Sequence, residues 1–213
     1  MDSLTLAAIW SVVWIVILMI PPGSRSIETE YRINFLNGLV SSIASGFAIM
    51  DIIDINVATT SALSYFVVGL VNMILNDCYF KVKSYQSPSA RKTEYFHHVL
   101  CFGAGFLGET NHRGFCTFDK NPFVLLLLAE ISTPFLIVWR YSGNKFAGLM
   151  FVLTFVGFRI IYQGFFLVPE CIRRCHIAVG LGFGGPYLVL NFYFLYQIIL
   201  KLLKKEKSAK KLQ

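Results

Sequence analysis

Apolar runs separated by short clusters of polar residues, glycine and proline organise this chain from end to end. Read for stretches near 20 residues, the length a helix needs to cross the hydrocarbon of a bilayer, they predict seven spans: residues 4–20, 33–50, 60–80, 95–107, 122–141, 146–168 and 176–200. The fourth run is short and glycine-rich, and extends either back through Glu94 or forward toward Cys116. Helix breakers support the divisions. Pro21, Pro22 and Gly23 stop the first run, Pro122 takes a first-turn position that tolerates proline, and Pro169 follows the sixth run. The first run reads as a span and not as a secretory signal, because no Lys or Arg precedes it and Pro-Pro follows it in place of a small-x-small cleavage site.

Composition narrows the solvent that buries these runs. Of 213 residues, 55% are hydrophobic and 15% charged, and mean hydropathy is +0.61. A soluble domain needs about 25% charged residues to clothe its surface, and disorder needs low hydrophobicity, so both classes fit poorly. The expected fold is all-α: a polytopic membrane helical bundle of about seven transmembrane helices enclosing a lipid-accessible cavity. Residues 1–27 hold the first span and its loop, 28–204 the main membrane domain, and 205–213 a basic tail.

Charge placement sets orientation. The net charge of +7 comes from 19 Lys+Arg against 12 Asp+Glu. With seven spans and a lumenal N-terminus, 14 positive residues fall on the cytosolic side and 4 on the lumenal side, while Arg159 lies within a span. Six spans would reverse the N-terminus only. The chain ends in Lys210-Lys211-Leu212-Gln213, which resembles the dilysine signal read by coat proteins that return membrane proteins to the endoplasmic reticulum. The alternative is a topology-setting cluster that touches anionic lipid. Nucleic acid is not an expected partner, since no basic surface interleaved with aromatic residues is present.

Two glycine strings, Gly103-Ala-Gly105-Phe-Leu-Gly108 and Gly180-Leu-Gly182-Phe-Gly184-Gly185, fit G-x-G-x-x-G, but they lie in or beside membrane runs and not at a strand-to-helix turn. They are expected to permit close helix packing, with Gly184, Gly185 and Pro186 bending or interrupting the last span. Cys78 and Cys101 fall inside spans. Cys116, Cys171 and Cys175 lie in or near lumenal loops, where oxidation is permitted, and their pairing is left open by spacing alone.

Candidate chemistry rests on the ionisable residues inside spans: Asp77, His97, His98, Glu130 and Arg159. Each costs roughly 2.5–3.5 kcal/mol at a helix centre, so those that lie deep should face an interior or a wet cavity. Counted from the span ends, Glu130 and Arg159 are both about 12–14 Å deep, which suits an ion pair across spans five and six. Asp77, His97 and His98 are expected in a shallower cytosolic layer, where a carboxylate accepting from an imidazole would raise its basicity. Adjacent histidines on a helix point about 100° apart, so no metal site is expected from the pair. The structural alternatives are interfacial polarity for the histidines and a buried ion pair for Glu130 and Arg159.

In order along the chain, Arg32-Ile-Asn34-Phe-Leu-Asn37-Gly38-Leu, Asn76-Asp77, Tyr95-Phe-His97-His98-Val-Leu, Leu-Ala-Glu130-Ile-Ser132-Thr133-Pro134-Phe135-Leu and Gly157-Phe-Arg159-Ile160 resemble the TLC (TRAM, Lag1 and CLN8 homology) domain family over residues 28–204. The resemblance implies a polytopic domain of the endoplasmic reticulum or a related membrane, concerned with sphingolipid or phospholipid homeostasis. Ceramide synthases of that family transfer an acyl chain from acyl-CoA to a sphingoid amine and use a histidine pair, matched here by His97 and His98. They also carry a second motif with a histidine and several aspartates, and here the corresponding segment holds the single carboxylate of Glu130.

The leading expectation is a protein that binds or regulates membrane lipid, with an acyl chain in the cavity and the polar residues Asp77, Glu130 and Arg159 at its head group. One alternative is a lipid acyltransferase that takes acyl-CoA as substrate and uses His97 and His98 as nucleophile or general base. Another is a trafficking adaptor that works through Lys210 and Lys211 and a coat-protein partner.

Overall fold

A computed structural model describes residues 2–21, 27–82, 88–111, 117–118, 121–175 and 184–210, with backbone only at 89–90, 106–111 and 201–210. The described residues form seven helices and no strand. They are α1 (Ser3–Met19), α2 (Ile27–Ile49), α3 (Ile55–Phe80), α4 (Pro88–Asn111), α5 (Pro122–Ser142), α6 (Lys145–Arg174) and α7 (Gly185–Lys210). Three of them, α3, α5 and α6, are long and apolar enough to cross a membrane, and α1 and Gly185–Leu200 are shorter apolar helices.

Local chemistry explains the ends. Asp2 caps α1 by accepting from the Thr5 N–H at 2.7 Å, and that bond holds its carboxyl below the usual range. At the far end of α1, Arg32 of α2 donates to the carbonyls of Ile17, Ile20 and Pro21, oxygens that the helix itself leaves unpaired. Asp54, Asn121 and Asn144 cap α3, α5 and α6 in the same way as Asp2, accepting from Asn56, Phe123 and Phe146.

Several helices outrun the apolar segments that announce them. Helix α2 starts six residues before its predicted span and α4 starts at Pro88, seven residues before its own, because their first turns carry charged residues that pair inside the bundle. Helix α6 passes through Pro169, which was expected to end it. The preceding Phe155–Leu167 stretch is a π-helix, whose wider turns leave room for a residue with no N–H to donate. The last described helix begins at Gly185-Pro186, with the proline in its first turn; residues 176–183 of the predicted span lie outside the described residues. Helix α7 runs on through residues 204 and 205 to Lys210.

Helix α1 packs on α3, α2 lies between α3 and α5, α4 covers α3, and α6 joins α5 to α7. The largest core cluster centres on Trp14, Tyr65, Phe66, Phe123 and Tyr187. Trp14 is fully buried, and its indole N–H donates to the Ser61 carbonyl at 3.0 Å. Gly105 of the first glycine string does serve close packing: a Cβ there would stand 2.4 Å from Leu63 Cδ2 on α3. Polar residues concentrate inside. Asn37, Ser41, Ser45, Ser61, Gln163 and Asn191 are buried, while Val71, Val99, Phe165, Phe166 and Val189 face outward.

Candidate functional site

Between the helices lies a cavity of about 450 Å³. One wall is polar and comes from α2, α3, α4 and the middle of α5, including Asn34, Tyr65, His97 and Glu130. The other is apolar, with Leu136, Phe151, Phe155 and Phe194 from α5, α6 and α7.

The cavity floor depends on a local departure from α-helical geometry. Pro134 has no N–H for the carbonyl of Glu130 four residues earlier, and α5 tightens to a 3₁₀ turn over Leu128–Ile131. The Ala129 carbonyl accepts from Arg159 Nε at 3.2 Å and from the Ser132 hydroxyl at 3.1 Å. Arg159 sits in the π-helical stretch of α6, and its Nη2 donates to Glu130 Oε1 at 2.8 Å. Arg159 Nε also reaches Ser132 Oγ at 3.0 Å, and the Thr133 hydroxyl donates to Glu130 Oε2 at 2.8 Å. The expected pair across spans five and six is therefore present, with both side chains about 95% buried. One turn further along α6, Gln163 donates to the Leu126 carbonyl at 3.2 Å and accepts from Asn191 of α7 at 2.7 Å. This chain of polar contacts ties α5, α6 and α7 together below the cavity.

The histidines lie further along their helix than expected. Because α4 begins at Pro88 and not at Tyr95, His97 is well into the helix, and its Nε2 stands 3.9 Å from Glu130 Oε1. His98 donates from Nδ1 to the Glu94 carbonyl at 3.1 Å, which fixes its tautomer with the lone pair on Nε2. That nitrogen faces α3, where Gly69 admits it: a Cβ at residue 69 would be 3.0 Å away. The two rings lie 5.9 Å apart with their planes at 86°.

Asp77 does not meet an imidazole. It is held by Arg91 through Nε to Oδ2 at 2.8 Å and Nη2 to Oδ1 at 3.1 Å, and it accepts from the Tyr95 hydroxyl at 2.9 Å. A guanidinium with a paired carboxylate fork outcompetes a ring nitrogen for this position. Arg91 also contacts Glu30 at 3.2 Å and Glu94 at 3.4 Å, so one cation gathers three carboxylates from α2, α3 and α4. Sequence reasoning missed Glu30 and Arg91, which lay outside the predicted spans. The signal was the spacing of Arg91, Glu94, Tyr95 and His98, which share one face of a helix that starts at Pro88.

Among the cysteines expected near the lumen, Cys175 is in a disulfide and Cys171 is a free thiol, while Cys116 lies outside the described residues. The disulfide end of the bundle is closed further by Thr117, whose N–H donates to the Arg174 carbonyl at 2.9 Å. Lys210 ends α7, and Lys211 lies outside the described residues. No family model, no curated protein and no solved structure matches this chain.

Proposed function

We propose that the chain is a seven-span membrane protein that binds a lipid in its central cavity, and that this binding serves membrane lipid homeostasis. The observation that carries the reading is the two-sided cavity: an apolar wall suited to an acyl chain faces a polar wall whose deepest groups are His97, Glu130 and Arg159. Pockets of this volume, mostly apolar with a few convergent polar groups, are the usual form of a small-ligand site. Buried Ser, Asn and Gln under outward-facing Val and Phe support a bilayer as the surrounding solvent. The disulfide at Cys175 supports an oxidising lumen at that end, which leaves the Arg91 end and the basic tail in the cytosol. Of the residues that resemble the TLC family, Asn34, Asn37, His97, His98, Glu130 and Arg159 line this cavity, and that resemblance is the ground for proposing an endoplasmic reticulum membrane.

The test is lipid extraction from protein purified in mild detergent, followed by mass spectrometry. The expected result is a stoichiometric lipid in wild type that is depleted in Arg159→Gln; folded wild-type protein that carries no lipid contradicts the reading.

A second reading, acyl transfer from acyl-CoA to a lipid hydroxyl or amine, is favoured by one contact, the 3.9 Å approach of His97 Nε2 to Glu130. In that reaction the imidazole takes the acceptor's proton as the acceptor attacks the thioester, and the CoA thiol leaves. It requires CoA release that is abolished in His97→Ala, and a lipid-loaded protein with no turnover argues for binding alone.

A further inference from the structure

At the cavity floor the charges cancel: the Arg159 guanidinium meets the Glu130 carboxylate at 2.8 Å, and both side chains line the cavity. His98 gives its Nδ1 hydrogen to the Glu94 carbonyl and turns Nε2 toward Gly69. A ligand that brought a net charge to this floor would therefore leave that charge uncompensated in a buried setting, which is strongly unfavourable.

Hydrogen-bonding capacity remains at the same place. The contacts of Arg159 use Nε and Nη2, and among the described residues Nη1 has no hydrogen-bond partner. A carboxylate offers about four acceptor sites. Glu130 receives one hydrogen bond on each oxygen, from Arg159 and from Thr133. The floor thus keeps N–H donors and carboxylate acceptor sites side by side with no charge to neutralise.

Resting on the lipid-binding reading, we propose that the cavity selects an uncharged lipid head that carries both a hydroxyl and a carbonyl, the chemistry of a monoacylglycerol, over carboxylate or amine heads. The hydroxyl donates to Glu130, the carbonyl accepts from Arg159 Nη1, and the chain lies against Phe151, Phe155 and Phe194.

Three probes with the same 18-carbon chain separate the possibilities: monoolein, oleate and oleylamine, each titrated into the purified protein at neutral pH and read by native mass spectrometry. Monoolein is expected to bind at least ~10-fold more tightly than either charged probe, a difference that one unpaired buried charge readily supplies. Equal or tighter binding of oleate or oleylamine overturns the proposal and leaves the lipid cavity standing. Binding of none of the three, in protein that also carries no copurified lipid, overturns the lipid cavity itself. In Glu130→Gln the floor gains a net positive charge, so the ranking is expected to invert in favour of oleate; persistence of the monoolein preference would show that charge balance does not set selectivity. The wild-type ranking decides the proposal even where E130Q fails to fold.

Discussion

Gly38 of α2 lies so close to Pro134 of α5 that a Cβ on residue 38 would stand 2.6 Å from Pro134 Cδ and 2.9 Å from Thr133 Cβ. The glycine and the proline act together. Pro134 denies the Glu130 carbonyl its usual donor four residues on, while Gly38 lets α2 close over the tightened turn beside Thr133, whose hydroxyl donates to the Glu130 carboxylate. Gly38→Ala is therefore expected to destabilise the protein by about 1–3 kcal/mol, as overpacking does. Gly46 lies on the same helix with nothing within 4 Å of a would-be Cβ, and Gly46→Ala should be neutral or stabilising by roughly 0.5–1 kcal/mol. Thermal melting of the two variants in detergent measures the contrast, and equal effects would remove the close approach from the account.

The Glu130–Arg159 pair makes a second prediction through its non-additivity. Removing one partner leaves a buried charge uncompensated, at a cost of about 3–5 kcal/mol, whereas removing both does not. E130Q and R159Q should each melt well below wild type, and the E130Q/R159Q double variant should melt above both singles. A double variant worse than either single would mean that the two side chains do not act as a pair.

At the other end of the cavity, Arg91 holds Glu30, Asp77 and Glu94 together. Arg91→Gln leaves three carboxylates facing one another and is expected to be among the most damaging single changes. Tyr95→Phe removes one hydrogen bond to Asp77 and should cost about 0.5–1.5 kcal/mol. Comparable losses in the two variants, measured by the same melt, would show that the guanidinium is not the organising group.

Thiol chemistry supplies an independent check on the disulfide end. Cys171 is free and partly accessible, and Cys175 is bonded. Alkylation of unfolded, unreduced protein followed by peptide mapping should label Cys171 and spare Cys175, with label on Cys175 only after reduction. Label on both without reduction contradicts the described pairing.

Much of the architecture is legible in the sequence because apolar runs bounded by helix breakers mark the helices. Each of the seven apolar runs contains or overlaps a helix, and Pro122 opens α5 as its position suggests. The pairing of Glu130 with Arg159 was readable because each lies near the middle of its apolar run, and the pair is present between α5 and α6. What escaped is what hydropathy does not encode. The π-helical stretches at Leu75–Phe80 and Phe155–Leu167 and the 3₁₀ turn at Leu128–Ile131 shift side-chain directions without changing composition. The start of α4 was misplaced because its first turns are polar, so His97 was placed at the start of its helix and Arg91 was counted in a cytosolic loop. Charged residues at a span's edge read as loop until their partners on other helices are known.

Native mass spectrometry of the purified protein, with and without oleoyl-CoA, separates lipid binding from acyl transfer in one experiment. Lipid binding gives a non-covalent adduct of lipid mass that gas-phase activation releases, and no covalent mass gain when oleoyl-CoA is added. Protein that carries no lipid, or that gains a covalent oleoyl group lost in His97→Ala, contradicts it.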